Sequence, residues 1–270
     1  MRVNPAFRDD TMIVTGADRA HFANLRVLAG SWRANMGPFR LAVCDFGLEP
    51  DQIERLRAVA GIEVLAAPEP VSHPWLGKAL VGRFLEKTEV PWRNLVWLDA
   101  DALFAHSLPE LAPLLEGYDL IADAHVQSVG EIVEPCNLAE LPLRPDDAYF
   151  AAGWWVARRG CLLESYERFC RRVMGRGNLW EGDAFVAAIY SEKLKVRTVS
   201  GSVWHCRGRT SLPTCEVRGL EPFHAGQPIY VLHANDGYDI RADGRRVFRR
   251  PELAAIQDHY DALFDEAGRR

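Results

Sequence analysis

The sequence predicts an α/β fold, a Rossmann-type arrangement in which a mostly parallel central sheet is flanked by helices. Three observations predict it. Short apolar, β-branched runs alternate with stretches of helical periodicity in the N-terminal half, and the chain between successive runs is long enough for crossover helices. One such run, Leu95 to Leu98, ends directly on an aspartate. Sheets of this kind bind ligands beyond the carboxyl ends of their strands, which puts Asp99 and the nearby Asp101 at the reactive edge.

The elements follow in order. Thr11 to Thr15 reads as a buried strand closed by the turn signal Gly16-Ala-Asp18. From His21 to Ala34, Phe22, Leu25, Leu28, Ala29 and Trp32 recur three and four apart, an amphipathic helix stopped by Gly37-Pro38. Phe39 to Phe46 is a second strand, Pro50 to Ala60 a second helix closed by Gly61, and Ile62 to Leu65 a third strand. A Pro-rich loop, Pro68 to Pro74, leads to a helix over Gly77 to Thr88 and then to the strand Leu95 to Leu98. The second half is less regular, with strands at Leu120 to Ala122, Tyr149 to Ala157, Val196 to Val199 and Ile229 to Leu232. Helices are expected near Cys161 to Val173 and Asp183 to Tyr190. Ser128 to Pro145 has several prolines and no periodicity, so it is a candidate lid or acceptor-side loop. Pro251 opens a last helix in which Leu253, Ile256, Tyr260 and Leu263 repeat at helical spacing.

Composition narrows the function. The 270 residues are 48% hydrophobic and 26% charged, so a core can form without disulfides or a structural metal. Thirty-two basic against 37 acidic residues give −5, which removes the electrostatic case for nucleic acid and favours small-molecule chemistry. No apolar run reaches the roughly 20 residues of a spanning helix, and Met1 to Asp10 is polar; a cytoplasmic protein is expected. The six cysteines form no Cys-x-x-Cys pair and read mostly as small core hydrophobes. The run His205, Cys206, Cys215, His224 has zinc-compatible residue types, but its spacing matches no usual zinc pattern.

Asp99 and Asp101, two apart on an extended segment, point to one side and could share a hard divalent cation. They stand between Leu95-Val-Trp-Leu98 and Ala102-Leu-Phe104, and charges in so apolar a stretch are usually paired or metal-bound. Upstream, Lys78 and Arg83 lie five apart on a helix and diverge by about 140°, so only one of them can face a common site. Between Asp239 and Arg250, five arginines (Arg241, Arg245, Arg246, Arg249, Arg250) outnumber two aspartates; the segment either closes over an anion or is a solvated tail. In an extended Trp154-Trp155, one ring is core and the other is free to stack on a sugar.

The segment Leu-Val-Trp-Leu-Asp-Ala-Asp-Ala-Leu-Phe, residues 95 to 104, resembles the Asp-x-Asp segment of nucleotide-sugar-dependent glycosyltransferases of the GT-A fold, most closely the family 8 type. Supporting segments occur in the family's order. Ile13-Val-Thr-Gly-Ala-Asp18 is similar to its first strand and nucleotide loop, Tyr149-Phe-Ala-Ala-Gly-Trp154 to its Tyr-Phe-Asn-Ala-Gly, Glu181-Gly-Asp183 to its Asp-Gln-Asp, and Val231-Leu-His233 to its late metal-ligand strand. Cys44-Asp-Phe-Gly-Leu-Glu-Pro-Asp-Gln52 resembles a related group of nucleotide-diphospho-sugar transferases. This resemblance implies a single GT-A-like catalytic domain, with a nucleotide- and metal-binding half at about 11–125, a sugar and acceptor half at about 126–250, and a C-terminal helix at 251–270. It also implies Asp99, Asp101 and His233 as ligands of Mn2+ or Mg2+, and Thr15, Asp18, Lys78 or Arg83, Asp99 and Gly153 at the donor. Asp183 and Glu181 would stand near the reacting centre.

The implied reaction moves a sugar from a nucleoside diphosphate sugar, a UDP-sugar by expectation, to a hydroxyl of a carbohydrate, lipid-linked or protein acceptor. The family points to retention of configuration, which no residue read here fixes. The chain departs from the family at three places: Ala151 replaces an Asn, Gly182 replaces a Gln, and no lysine follows His233 in Ala-Asn-Asp-Gly. Those departures keep two other readings open, a nucleotide-sugar-binding protein without transferase activity and a metal-dependent nucleotide-sugar hydrolase.

Overall fold

The computed structural model describes residues 11–37, 39–88, 91–174, 180–207, 211–235 and 238–269, with the side chains of 136 and 137 excepted. The polar start from Met1 to Asp10 and the Cys136 side chain therefore lie outside the described residues. The N-terminal half contains β1 (Thr11–Ala17), α1 (Phe22–Met36), β2 (Leu41–Asp45), α2 (Pro50–Arg57), β3 (Ile62–Leu65), α3 (Pro74–Ala79), α4 (Val81–Leu85), β4 (Asn94–Leu98) and β5 (Ala102–Phe104). There follow β6 (Leu120–Ser128), α5 (Val129–Ile132), α6 (Pro135–Leu138), β7 (Ala148–Arg158), α7 (Leu163–Val173), α8 (Glu181–Ser191), β8 (Val196–Val199) and α9 (Gly201–Trp204). The chain closes with β9 (Cys206–Arg207), β10 (Glu216–Arg218), β11 (Glu221–His224), β12 (Gln227–Pro228), β13 (Val231–His233), β14 (Tyr238–Ile240), β15 (Arg246–Phe248) and α10 (Pro251–Ala267).

Seven strands form the central sheet in the order β3-β2-β1-β4-β7-β6-β8, and only β7 runs against its neighbours. The predicted mostly parallel sheet is thus present. Successive residues of β4 feed two apolar layers: Leu95 and Trp97 pack with α3, α4, α7 and α8, while Val96 and Leu98 pack with α1 and the end of α10. That two-sided burial explains why the strand is apolar at every position after Asn94 rather than alternating.

A small sheet, β5-β13-β9, is built at the end of β4. There β13 pairs antiparallel with β5, setting His233 opposite Ala102, and parallel with β9, setting His233 opposite Arg207. A backbone bond from Ala234 N to Asp101 O at 3.0 Å continues the pairing past the strand.

Three expectations need correction. The helix expected over Gly77 to Thr88 is two short helices that break at Leu80, where ψ is 2°; glycines at 77 and 82 weaken helix propensity, and Gly77 lies against the Phe46 ring. Trp154 and Trp155 are both fully buried, because β7 is an interior strand covered on both faces, so neither ring can stack on a sugar. Asp99 to Asp101 is not extended: it is a turn between β4 and β5, closed by Ala102 N to Asp99 O at 3.0 Å. The long connection from β6 to β7 contains the short helices α5 and α6, and its ends are tied by Val129 N to Asp147 O at 2.8 Å and Gly130 N to Pro145 O at 2.9 Å.

Helix α1 crosses α10 at Gly30, where an added Cβ would stand 1.9 Å from the Tyr260 carbonyl oxygen. A methyl group there must push two helices apart, and helix backbone does not yield as a side chain does. Gly30→Ala is expected to destabilise the fold by about 1–3 kcal/mol, measured as a lower urea midpoint with unchanged slope.

Candidate functional site

Asp99, Asp101 and His233 each offer a ligand atom within 4.8 Å of the others, the one such metal-capable group among the described residues. The main chain creates the meeting. Asp99 ends β4 and donates its backbone N–H to Gly153 O at 3.0 Å, Asp101 ends the turn, and β13 carries His233 in beside it. His233 Nε2 is 2.9 Å from Asp101 Oδ1 and 4.0 Å from Asp99 Oδ2.

Two further cations neutralise the carboxylates. Lys78, nearly buried on α3, places Nζ 2.8 Å from Asp99 Oδ1 and 3.1 Å from Glu181 Oε1, and Arg246 on β15 reaches Asp101 Oδ2. Trp97 Nε1 also donates to Asp99 Oδ1 at 2.7 Å. Burial disfavours the Asp101 carboxylate, but His233 and Arg246 outweigh it and hold its carboxyl well below the usual range. Burial likewise works against a charged Lys78, and Asp99 and Glu181 overcome it, raising its pKa.

Behind His233 stands a second histidine. His205 is fully buried, its ring meets that of His233 edge to edge with the two planes 24° apart, and its Nε2 lies 2.8 Å from His233 Nδ1. Its Nδ1 faces Asp123 Oδ2 at 3.4 Å, and Asp123 in turn accepts from Arg207 Nε at 3.1 Å. His205 thus occupies His233 Nδ1, and His233 Nε2 is the atom turned to Asp99 and Asp101.

Gly153 is required by this packing, since a Cβ on it would stand 2.6 Å from His233 Cε1 and 3.1 Å from Asp99 Oδ2. Gly182 has the same kind of reason, because its Cβ would fall 2.6 Å from the Tyr149 hydroxyl. That hydroxyl donates to Asp183 Oδ1 at 2.9 Å. Burial raises the Asp183 pKa, with the Tyr149 bond opposing, and burial and Asp183 together push the Tyr149 phenol well up.

The other sequence-derived residues separate. Of Lys78 and Arg83, Lys78 faces the site; Arg83, on α4, is half exposed and pairs with Glu69 and Glu167. Thr15 is fully buried at the carboxyl end of β1, while Asp18 caps the turn after it, accepting from His21 N at 3.0 Å. The His205, Cys206, Cys215, His224 run does not gather around a metal position: His205 turns to His233, and His224 Nδ1 meets Thr214 Oγ1 at 3.3 Å. The Arg241 to Arg250 segment is not a solvated tail. It is the β14–β15 hairpin, joined to α10 through Arg241 and Arg245 on Asp258. Sequence reading missed Asp123 and Arg207, and it noticed His205 only as a zinc ligand. No spacing links these residues to His233, since β9 meets β13 only in the folded sheet.

No protein-family model matches the chain, and no curated protein does. Solved structures do match. The galactosyltransferase LgtC, in complex with donor and acceptor sugar analogues, superposes with a TM-score of 0.56 at 15% identity over 94% of this chain and 95% of that one. An active-site mutant of LgtC gives 0.59 at 18% identity with the same coverage. GlyE, a glycosyltransferase of Streptococcus pneumoniae TIGR4, gives 0.58 at 12% identity over 96% of this chain and 63% of that one. The chain has the fold of these glycosyltransferases.

Two outcomes follow from the site's packing. Gly153→Ala should fold yet lose the close approach of His233 to Asp101, read as a shifted His233 imidazole resonance in proton NMR, because its methyl group displaces His233 or Asp99. His125, beside the Tyr149 ring, is pushed down to about 4 by burial and by Arg207, with Asp123 opposing. Its folded pKa lies below the unfolded one, so its contribution to stability is complete above about pH 6.5 and is lost as pH falls toward 4. A proton NMR titration should show His125 neutral at pH 5.5.

Proposed function

We propose that the protein transfers a glycosyl unit from a nucleoside diphosphate sugar to a hydroxyl acceptor, with a divalent cation held by Asp99, Asp101 and His233. The observation that carries this reading is the convergence of His233 on two aspartates 134 and 132 positions upstream, at the carboxyl edge of a mostly parallel sheet, in a fold shared with solved glycosyltransferases. A chance aspartate pair and a core histidine have no reason to meet. Two carboxylates and one imidazole suit manganese better than magnesium, which prefers oxygen ligands alone. Bound there, the ion would supply Lewis acidity to the departing diphosphate.

The chain's own groups have separable tasks. Lys78 ties Asp99 and Glu181 together through one ammonium group, and it holds positive charge where the leaving group's charge would grow. Asp183, buried and oriented by the Tyr149 hydroxyl at 2.9 Å, and Glu181, held by Lys78, are the carboxylates assigned to the reacting centre. Asp18, capping the turn just past β1 on the same sheet edge, is assigned to the nucleotide end of the site, and Thr15, fully buried beneath it, supports that turn from within the sheet. UDP-sugars are the first donors to test.

A second reading, binding of nucleotide sugar without transfer, is favoured by one observation: Ala151 and Gly182 stand at the positions of the family's two carboxamides, and the space beside Gly182 is taken by the Tyr149 hydroxyl. A donor screen separates the readings. Nucleoside diphosphate sugars with manganese should raise the thermal midpoint and be turned over, and Asp99→Asn or Asp101→Asn should lower turnover at least about 100-fold while the chain stays folded. Binding without turnover, with or without an acceptor, would favour the second reading; turnover to free sugar with every acceptor would indicate a hydrolase.

A further inference from the structure

We propose that Arg246 is a substrate-binding residue that receives the phosphate oxygens of the donor's nucleoside diphosphate, a role that rests on the nucleotide-sugar reading above. Of the five arginines on the segment, four are otherwise engaged. Arg241 pairs with Asp258, Arg245 with Asp258 and Asp261, and Arg249 with Asp239, while Arg250 donates to the carbonyls of Leu212 and Cys215. Arg246 alone turns to the candidate cation site, where its guanidinium meets Asp101 Oδ2.

Its backbone is fixed on both sides. Arg246 N donates to Asn24 Oδ1 at 2.8 Å, near the start of α1, and Arg246 O accepts from Gln257 Nε2 at 3.0 Å on α10. The guanidinium carbon lies 4.9 Å from the centre of the Tyr238 ring, and the side chain keeps 30% of its surface exposed. The strand is therefore anchored while the charged end still reaches open solvent beside the site.

Charge balance supplies the reason for a new partner. Three carboxylates, Asp99, Asp101 and Glu181, face two side-chain cations, Lys78 and Arg246. A divalent ion on Asp101 competes with Arg246 for that carboxylate and turns the local sum positive. An anion that touches both the ion and the released guanidinium restores the balance, and a diphosphate presents oxygens suited to both, a hard cation and a planar fork of N–H donors.

The test is calorimetric titration of the intact chain. Wild type, Arg246→Met, Arg246→Lys and, as a control on the same hairpin, Arg249→Met are titrated with manganese alone. In manganese they are then titrated with the diphosphates and monophosphates of uridine, guanosine, adenosine, cytidine and thymidine. Arg246→Met should keep or gain manganese affinity, because a competitor for Asp101 is gone, and lose roughly 10- to 100-fold in diphosphate affinity, with a smaller loss for the monophosphate. Arg246→Lys should recover part of that loss, and Arg249→Met should match wild type. Diphosphate binding by Arg246→Met within about twofold of wild type overturns the proposal alone, as does loss of manganese binding in that variant, which would make Arg246 a structural part of the cation site. Failure of the wild type to bind any diphosphate removes the nucleotide-sugar reading itself.

Discussion

Two carboxylates set side by side at the end of an interior strand must be neutralised, and much of the chain beyond them is arranged to do so. Asp99 and Asp101 leave β4 from a stretch buried on both faces, where unpaired charge is costly. Lys78 arrives from α3, His233 from β13 and Arg246 from β15, three elements that are not consecutive in the chain. Each of these cationic or imidazole groups is held by its own support: Glu181 for Lys78, His205 for His233, and Asn24 and Gln257 for the backbone of Arg246. The pair is thus an organising centre whose geometry is determined more by distant segments than by its immediate sequence.

Strand direction makes this possible. Because β7 runs against β4, its early residues lie beside the carboxyl end of β4, and Gly153 presents bare backbone to Asp99 and His233. The small β5-β13-β9 sheet then uses main-chain bonds, which do not depend on side-chain identity, to hold His233 opposite Ala102. Side chains supply the charge here, and the backbone supplies the placement.

How much of this was legible in the sequence depended on whether the information was local. The parallel sheet was readable because β1 to β4 are short apolar runs separated by helices, and periodicity is a local property. Asp99, Asp101 and His233 stood out through the resemblance, although their convergence was reached through a turn rather than the extended segment expected. The fates of Lys78 and Arg83 were limited to one facing the site by helix geometry, but only the fold shows that Glu181 draws Lys78 inward while Glu167 and Glu69 hold Arg83 outside. Trp154 and Trp155 misled because alternation implies an exposed face only for a strand with one side in water, and β7 has none. Asp123, Arg207 and the true partner of His205 were illegible, since long-range side-chain contacts leave no periodic trace.

The clamped base of the β6–β7 connection has an evolutionary meaning. Its two backbone bonds, Val129 to Asp147 and Gly130 to Pro145, fix both ends of the excursion before β7 begins. Between those bonds Val133, Leu141 and Leu143 are buried in the core, so free variation is confined to exposed positions such as Glu134 and Ala139, while the register that brings Gly153 beside Asp99 is untouched. Substitutions at those exposed positions leave in place Gly153, a few residues into β7, and with it the charged centre that packs against its bare backbone.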